Sequence, residues 1–308
     1  MLWYNYRQKR GNQNMQILPY LYILSGAALW GLIGVFVRNL PGFGPMQIVA
    51  SRASITAFIL VLFLLATDRK LLKIRLRDCW CFVGTGIFSI VFFNYCYFTT
   101  IRLCSLSAAA ILLYTAPSFV TLLSLFLFHE KLTRRKLSAL ALAFAGCALV
   151  AGVGQGSLQI SPVGILAGLG SGFGYALYSI FAKYALERYH SITVTTYTFL
   201  FACIGVLPFA GFGEFPRLLA DSPGSGWYLL GLGLLGSAIP YLLYTQGLKQ
   251  VPAGKAAIMA SVEPVVATFA GIFLFHEPAT TASLLGVAAV FASLIVLNLP
   301  NKLKLPTN

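Results

Sequence analysis

Two stretches decide how this chain folds: Tyr114–Glu130, YTAPSFVTLLSLFLFHE, and Ser261–Glu277, SVEPVVATFAGIFLFHE. They lie 147 residues apart and agree at seven of seventeen positions, including Pro117 with Pro264 and the whole FLFHE ending. Apolar composition inflates chance matches, but a shared proline and a shared His-Glu pair are not effects of composition. Outward from these stretches the match weakens without vanishing. Tyr97 lines up with Tyr244 and Arg102 with Lys249 at the same offset, while at an offset of 145 Trp30 faces Tyr175 and Arg38 faces Lys183. An internal repeat of this kind has to be recognised before any fold is assigned.

Each copy sits in an apolar run. Of 308 residues, 58% are hydrophobic and 10% charged, with a mean hydropathy of +0.81; soluble domains carry roughly 25% charged residues. Lipid is the solvent that suits such a surface. About 20 residues of helix cross a ~30 Å hydrocarbon core, and ten runs approach that length: 17–37, 46–66, 80–101, 106–128, 137–153, 162–183, 192–213, 226–248, 254–275 and 281–299. Their length and the lack of apolar/polar alternation predict helices rather than barrel strands. The expected fold is an all-α integral membrane protein of ten transmembrane helices.

A net charge of +14 would suggest a nucleic-acid partner in a soluble protein. Here the basic residues cluster between spans, so they read as topology signals and no nucleic acid is expected. With ten crossings, eighteen of the 22 lysines and arginines fall on one side, among them Lys131, Arg134, Arg135 and Lys136 after the fourth span. That bias predicts cytoplasmic termini. The Arg7-Lys9-Arg10 leader resembles the start of a signal peptide, but the apolar run after it reaches Val37, longer than a cleavable core of ~7–15 residues. The predicted organisation is a cytoplasmic leader 1–16, a first repeat 17–153, an external linker 154–161, a second repeat 162–299 and a cytoplasmic tail 300–308.

Five spans per half is an odd number, so the two halves should run in opposite directions. The charges agree: His129-Glu130 precedes the basic cluster, whereas His276-Glu277 precedes Pro278, Ala279, Thr280 and Thr281. Two inverted five-helix repeats are a recurrent design of secondary transporters, in which similar halves exchange conformations around a central site. At this point the residues resemble a known family, the EamA-type permeases of the drug/metabolite transporter superfamily. The resemblance rests on Trp30-Gly31, Arg52, Ala116-Pro117 with its FLFHE ending, and Glu263-Pro264 with FLFHE-Pro, and covers Ile17 to Leu299 as two tandem units. It implies a ten-helix bundle with a central cavity that carries amino acids, other metabolites or drugs.

Glu263 lies nine residues into its span, or ~14 Å of helix rise. An ionisable group at that depth is a candidate functional residue facing the bundle interior. Pro264 and Pro117 should break their helices at matching positions and mark a site between the halves; a hinge and packing role is the plainer alternative. Arg52 can turn inward to Glu263 or an anionic substrate, though snorkelling to the nearer interface is the simpler expectation. Lys255, eight residues before Glu263, should reach the cytoplasmic interface, with gating of the inner mouth as its functional alternative. Mid-span Trp30, Asn94, Tyr95, Tyr97, Tyr114, Tyr175, Tyr178, Tyr241 and Tyr244 are candidate cavity-lining residues, since a buried phenol needs a partner, although packing explains any single ring. Gln246 lies nearby. Gly168, Gly170, Gly172 and Gly174 suit close helix packing.

No catalytic set is expected. Neither His-Glu pair has a second His at zinc-protease spacing, the six cysteines form no ligand or disulfide pattern, and no phosphate-binding loop occurs. An enzyme, a cofactor and a metal site are therefore not expected. The expected function is a secondary transporter in a bacterial plasma (inner) membrane, moving amino-acid-like or related small metabolites by alternating access, with net export and with protons as candidate coupling ion through Glu263. The alternatives are efflux of drugs or cationic compounds and, from another class, a membrane-embedded sensor or scaffold.

Overall fold

The structure, a computed structural model, describes residues 2–104, 106–152 and 161–299, with side chains from Ile17 onward. Apart from Ser161, the linker expected at 154–161 lies outside the described residues, as does the tail 300–308. The described residues fold as helices joined by short turns, with no strand among them. Hydrocarbon offers backbone groups no hydrogen bonds, so each span must satisfy its own N–H and C=O groups.

Nine helices among the described residues are long and apolar enough to cross a membrane. They are α1 (Ile17–Val37), α2 (Pro45–Thr67), α3 (Leu76–Leu103), α4 (Leu106–Leu127), α6 (Pro162–Leu186), α7 (Ser191–Phe209), α8 (Ser225–Leu248), α9 (Ala253–Phe275) and α10 (Thr281–Asn298). Between α4 and α6 stands α5 (Arg134–Val150), a helix of 17 residues whose first turn is Arg134, Arg135 and Lys136. It coincides with the run expected at 137–153 but falls short of the other nine in length and apolarity. The helix containing α1 begins at Leu2 and pauses at Leu32 before its last turn, Ile33–Val37.

The repeat is visible as interruptions. α4 breaks at Tyr114–Thr115, between Leu106–Leu113 and Ala116–Leu127, and α9 breaks at Ser261, between Ala253–Ala260 and Val262–Phe275. Pro117 and Pro264 each sit in the first turn of the segment after the break, where a missing N–H leaves no helical bond unmade. α3 and α8 each widen into a π-helical stretch, Gly84–Val91 and Leu234–Ala238. Past α4 and α9 the backbone turns left-handed at His129 (φ 52°) and His276 (φ 53°). The N–H groups of Glu130 and Glu277 then reach back to the carbonyls of Ser124 and Gly271, both at 3.1 Å. Thr133 and Thr280 cap the next helices by accepting from the N–H groups of Lys136 and Ser283, again both at 3.1 Å. The breaks, prolines, left-handed turns and caps all follow the 147-residue offset, and the two π-helical stretches end at it, Val91 with Ala238.

α1 packs on α8 and α9, α3 on α6, α2 on α7, and α5 most extensively on α10. Small residues allow this where no hydrophobic drive favours helix association in lipid. A Cβ added at Gly146 would stand 2.7 Å from the Gly286 carbonyl oxygen, and one at Gly286 would stand 2.6 Å from that of Gly146. The outward faces carry large apolar side chains such as Phe58, Phe126, Leu166, Phe273 and Ile295, all exposed, as a lipid solvent requires.

Candidate substrate cavity

A cavity of about 620 Å³ opens between α1, α2, α3, α4 and α9, with Trp30, Arg52, Asn94, Tyr97, Tyr114 and Glu263 among its walls. The helix breaks place its polar groups. Tyr114 stands at the interruption of α4 and Glu263 in the first turn beyond that of α9. Asn94 follows the π-helical stretch of α3 and donates to the Ile90 carbonyl at 2.7 Å. α1 meets α9 at backbone contact: a Cβ at Gly31 would lie 2.5 Å from the Glu263 carbonyl oxygen. Only glycine fits there, and its neighbour Trp30 is thereby held against the cavity.

The charges are arranged with opposite signs and no direct pairing. Glu263 accepts a hydrogen bond from the Tyr175 hydroxyl at 3.0 Å. Arg52 is buried and its Nε donates to Ser237 Oγ, in the π-helical stretch of α8, at 3.0 Å. The ion pairs among the described residues are Arg38–Glu277, Lys136–Glu130, Arg188–Asp78 and Arg217–Asp221, so Arg52 and Glu263 share a cavity without closing on each other. Withdrawing charges from water without a direct counter-ion is costly. The interfacial Arg52 favoured by its sequence position is corrected: the serine of α8 holds it inward.

Trp30 is 6% exposed, and its indole N–H has no hydrogen-bond partner among the described residues. Behind it stand Tyr241 and Tyr244, with ring centroids at 4.9 and 5.1 Å, and Tyr175 at 6.2 Å. Tyr178 packs edge-on against Tyr241 at 4.9 Å. The hydroxyls of Tyr178 and Tyr244 are bonded to Thr245 (2.5 Å) and Ser179 (2.8 Å), and the space between these rings is about 10 Å³. Tyr178, Tyr241 and Tyr244 are therefore a wall behind Trp30 rather than a surface a solute could touch.

Two candidates stand away from the cavity. Tyr95 is half exposed on the outer side of α3, its ring 5.7 Å from Phe209. Lys255 lies over the ring of Tyr20 at 4.5 Å, beside Glu130 and Lys136 at the other end of α9. Gln246 accepts from Ser191, also outside the cavity. Sequence reasoning did not single out Arg38 and Glu277, which pair on the cavity rim, nor the grip of Glu130 on α9. The available signal was the duplicated glutamate of FLFHE.

The pattern of the EamA-like transporter family matches residues 17–152 and again residues 162–299. The chain belongs to the EamA-like transporter family. It is similar to an uncharacterized transporter of Archaeoglobus fulgidus, at 30% identity over 279 residues that cover 89% of this chain and 94% of that protein. It is also similar to the uncharacterized transporter YojE of Bacillus subtilis, at 26% identity covering 90% and 92% of the two chains. A solved crystal structure shares the fold with a TM-score of 0.77 at 17% identity, over 91% of this chain and 96% of that one. This EamA-like chain is thus a multi-pass membrane transporter of a small-molecule substrate, and not an enzyme.

Proposed function

We propose that the chain is a secondary transporter that carries amino-acid-like or related small metabolites across the plasma (inner) membrane by alternating access. In this reading ten spans, α5 included, form two inverted five-helix halves, the 17–153 and 162–299 repeats, with both termini cytoplasmic. Net flux is export, and protons couple through Glu263.

One observation carries the reading. Arg52 and Glu263 offer opposite charges in one cavity, unpaired with each other, with Trp30 in the same wall. A zwitterion of modest size satisfies both charges at once, and apolar walls accept its side chain. The contacts of the two FLFHE endings support the inversion. Glu130, beyond the end of α4, touches the start of α9, whereas Glu277 stands at the end of α9. Efflux of cationic drugs is less favoured, because Arg52 repels a second positive charge in the same space.

The test is transport by protein reconstituted in vesicles, against a panel of amino acids and related metabolites with an imposed proton gradient. Glu263→Gln should abolish gradient-driven accumulation of the responsive solute and also weaken its binding and exchange, because the carboxylate that carries the proton also faces the solute's ammonium group. An unaltered proton-driven flux would remove Glu263 from coupling. No movement of any panel member would remove the substrate class.

A further inference from the structure

The two ends of the bundle hold corresponding groups in different arrangements. At the end carrying Lys131–Lys136, the turn between α8 and α9 is clamped from both sides. The Glu130 carboxylate accepts from the N–H groups of Ala253 at 2.6 Å and Gly254 at 3.3 Å, and from Lys136 Nζ at 2.6 Å. Lys183 Nζ donates to the carbonyls of Leu248 at 2.8 Å and Val251 at 3.2 Å. Orphan N–H groups at a helix start favour a carboxylate, and orphan carbonyls at a helix end favour a cation. The fit is close, since a Cβ at Gly254 would stand 2.5 Å from Lys136 Nζ and 3.2 Å from Glu130 Oε2.

At the far end the 147-residue offset puts Ile101, Cys104, Leu106 and Ser107 in the places of Leu248, Val251, Ala253 and Gly254. Glu277 stands for Glu130, and Arg38 stands for Lys183 at the offset of 145. There the acid and the base pair with each other instead, with side chains 45% and 51% exposed, and Arg38 lies 4.2 Å over the Phe275 ring. They share the cavity rim with Ile101 and Leu106. One end is clamped and the other stands open over the same cavity.

We propose that Arg38 and Glu277 are the gating residues of the far end. When that end closes, their pair parts: Glu277 accepts from the N–H groups of Leu106 and Ser107, and Arg38 donates to the carbonyls of Ile101 and Cys104. Glu130 and Lys183 release the α8–α9 turn in the same step. The inference rests on the inverted-halves reading above. It also accounts for the open far end, because the place of Lys136 is taken there by Ser283, so that clamp has one charge fewer.

The test places a cysteine at Ala267, inside the cavity, and measures its labelling by a membrane-impermeant maleimide added to intact cells, with the same protein lacking that cysteine as baseline. Glu130→Gln should slow labelling about tenfold, the scale set by losing one charge-assisted bond, because the molecule shifts toward closing its far end. Gly254→Ala, which displaces the same clamp without removing a charge, should slow it too. Glu277→Gln should leave labelling equal or faster, and the Glu130→Gln/Glu277→Gln pair should recover the parent rate. Slowing by both glutamate variants, or a double variant slower than Glu130→Gln alone, would overturn the latch. A cysteine reachable only after the membrane is opened would overturn the outward placement of this end, and with it the cytoplasmic termini of the reading above.

Discussion

Trp30 carries a buried N–H with no partner among the described residues, next to a glycine that allows α1 to touch the backbone of α9. If the indole serves packing alone, phenylalanine replaces it at the cost of some buried area. If it serves the solute, the N–H is the part that matters. Trp30→Phe should leave the melting temperature nearly unchanged and weaken solute affinity about fivefold to tenfold, the worth of one hydrogen bond of roughly 1–1.5 kcal/mol. Unaltered affinity in a binding titration would assign Trp30 to packing. At this scale the sequence was partly legible. Glu263, Trp30, Asn94, Tyr97 and Tyr114 surround the cavity, because polar and aromatic groups in mid-span have few other places to go. Arg52 was harder to read, since its inward direction depends on Ser237, 185 residues away. The outward turn of Tyr95 was equally hidden, because lipid and protein interior are alike apolar and a ring suits both.

Helix elements in this molecule meet through small residues rather than through large apolar ridges. α5 and α10 approach at Gly146 and Gly286, each within reach of the other's carbonyl. Gly286→Val should therefore lower stability by about 1–3 kcal/mol, the usual cost of overpacking, read as a lower melting temperature of the purified protein. Gly34→Ala, where an added Cβ meets nothing within 4 Å, should be tolerated and serves as the control. Equal melting temperatures for both variants would show that the α5–α10 contact does not limit stability. Element positions were largely legible from the apolar runs, and the breaks at Tyr114–Thr115 and Ser261 lie beside the two prolines. The π-helical stretches of α3 and α8 were not legible. Their i→i+5 backbone bonds are set by no particular residue type, so no residue announces them.

The whole molecule repeats itself at one offset through breaks, caps and left-handed turns, and the repeat carries its acids to different duties. Glu130 grips the start of α9, while Glu277 pairs with Arg38 on the cavity rim. Sequence alone supplied the repeat and the asymmetry of charge after its two copies. It could not supply the contacts, because those join residues separated by 123 and 239 positions. α5 is the element on which the count of crossings turns, since its 17 residues begin with three cations. If α5 crosses, the FLFHE endings lie on opposite faces of the membrane. The direct measurement is labelling of single cysteines placed at Leu132, in the loop Lys131–Lys136, and at Ala279, in the loop Pro278–Thr280, by an impermeant reagent on intact cells. Inverted halves predict reaction at 279 before permeabilisation and at 132 only after it. Reaction of both positions from the same face would contradict the inversion, and with it the exchange of conformations on which transport through this cavity depends.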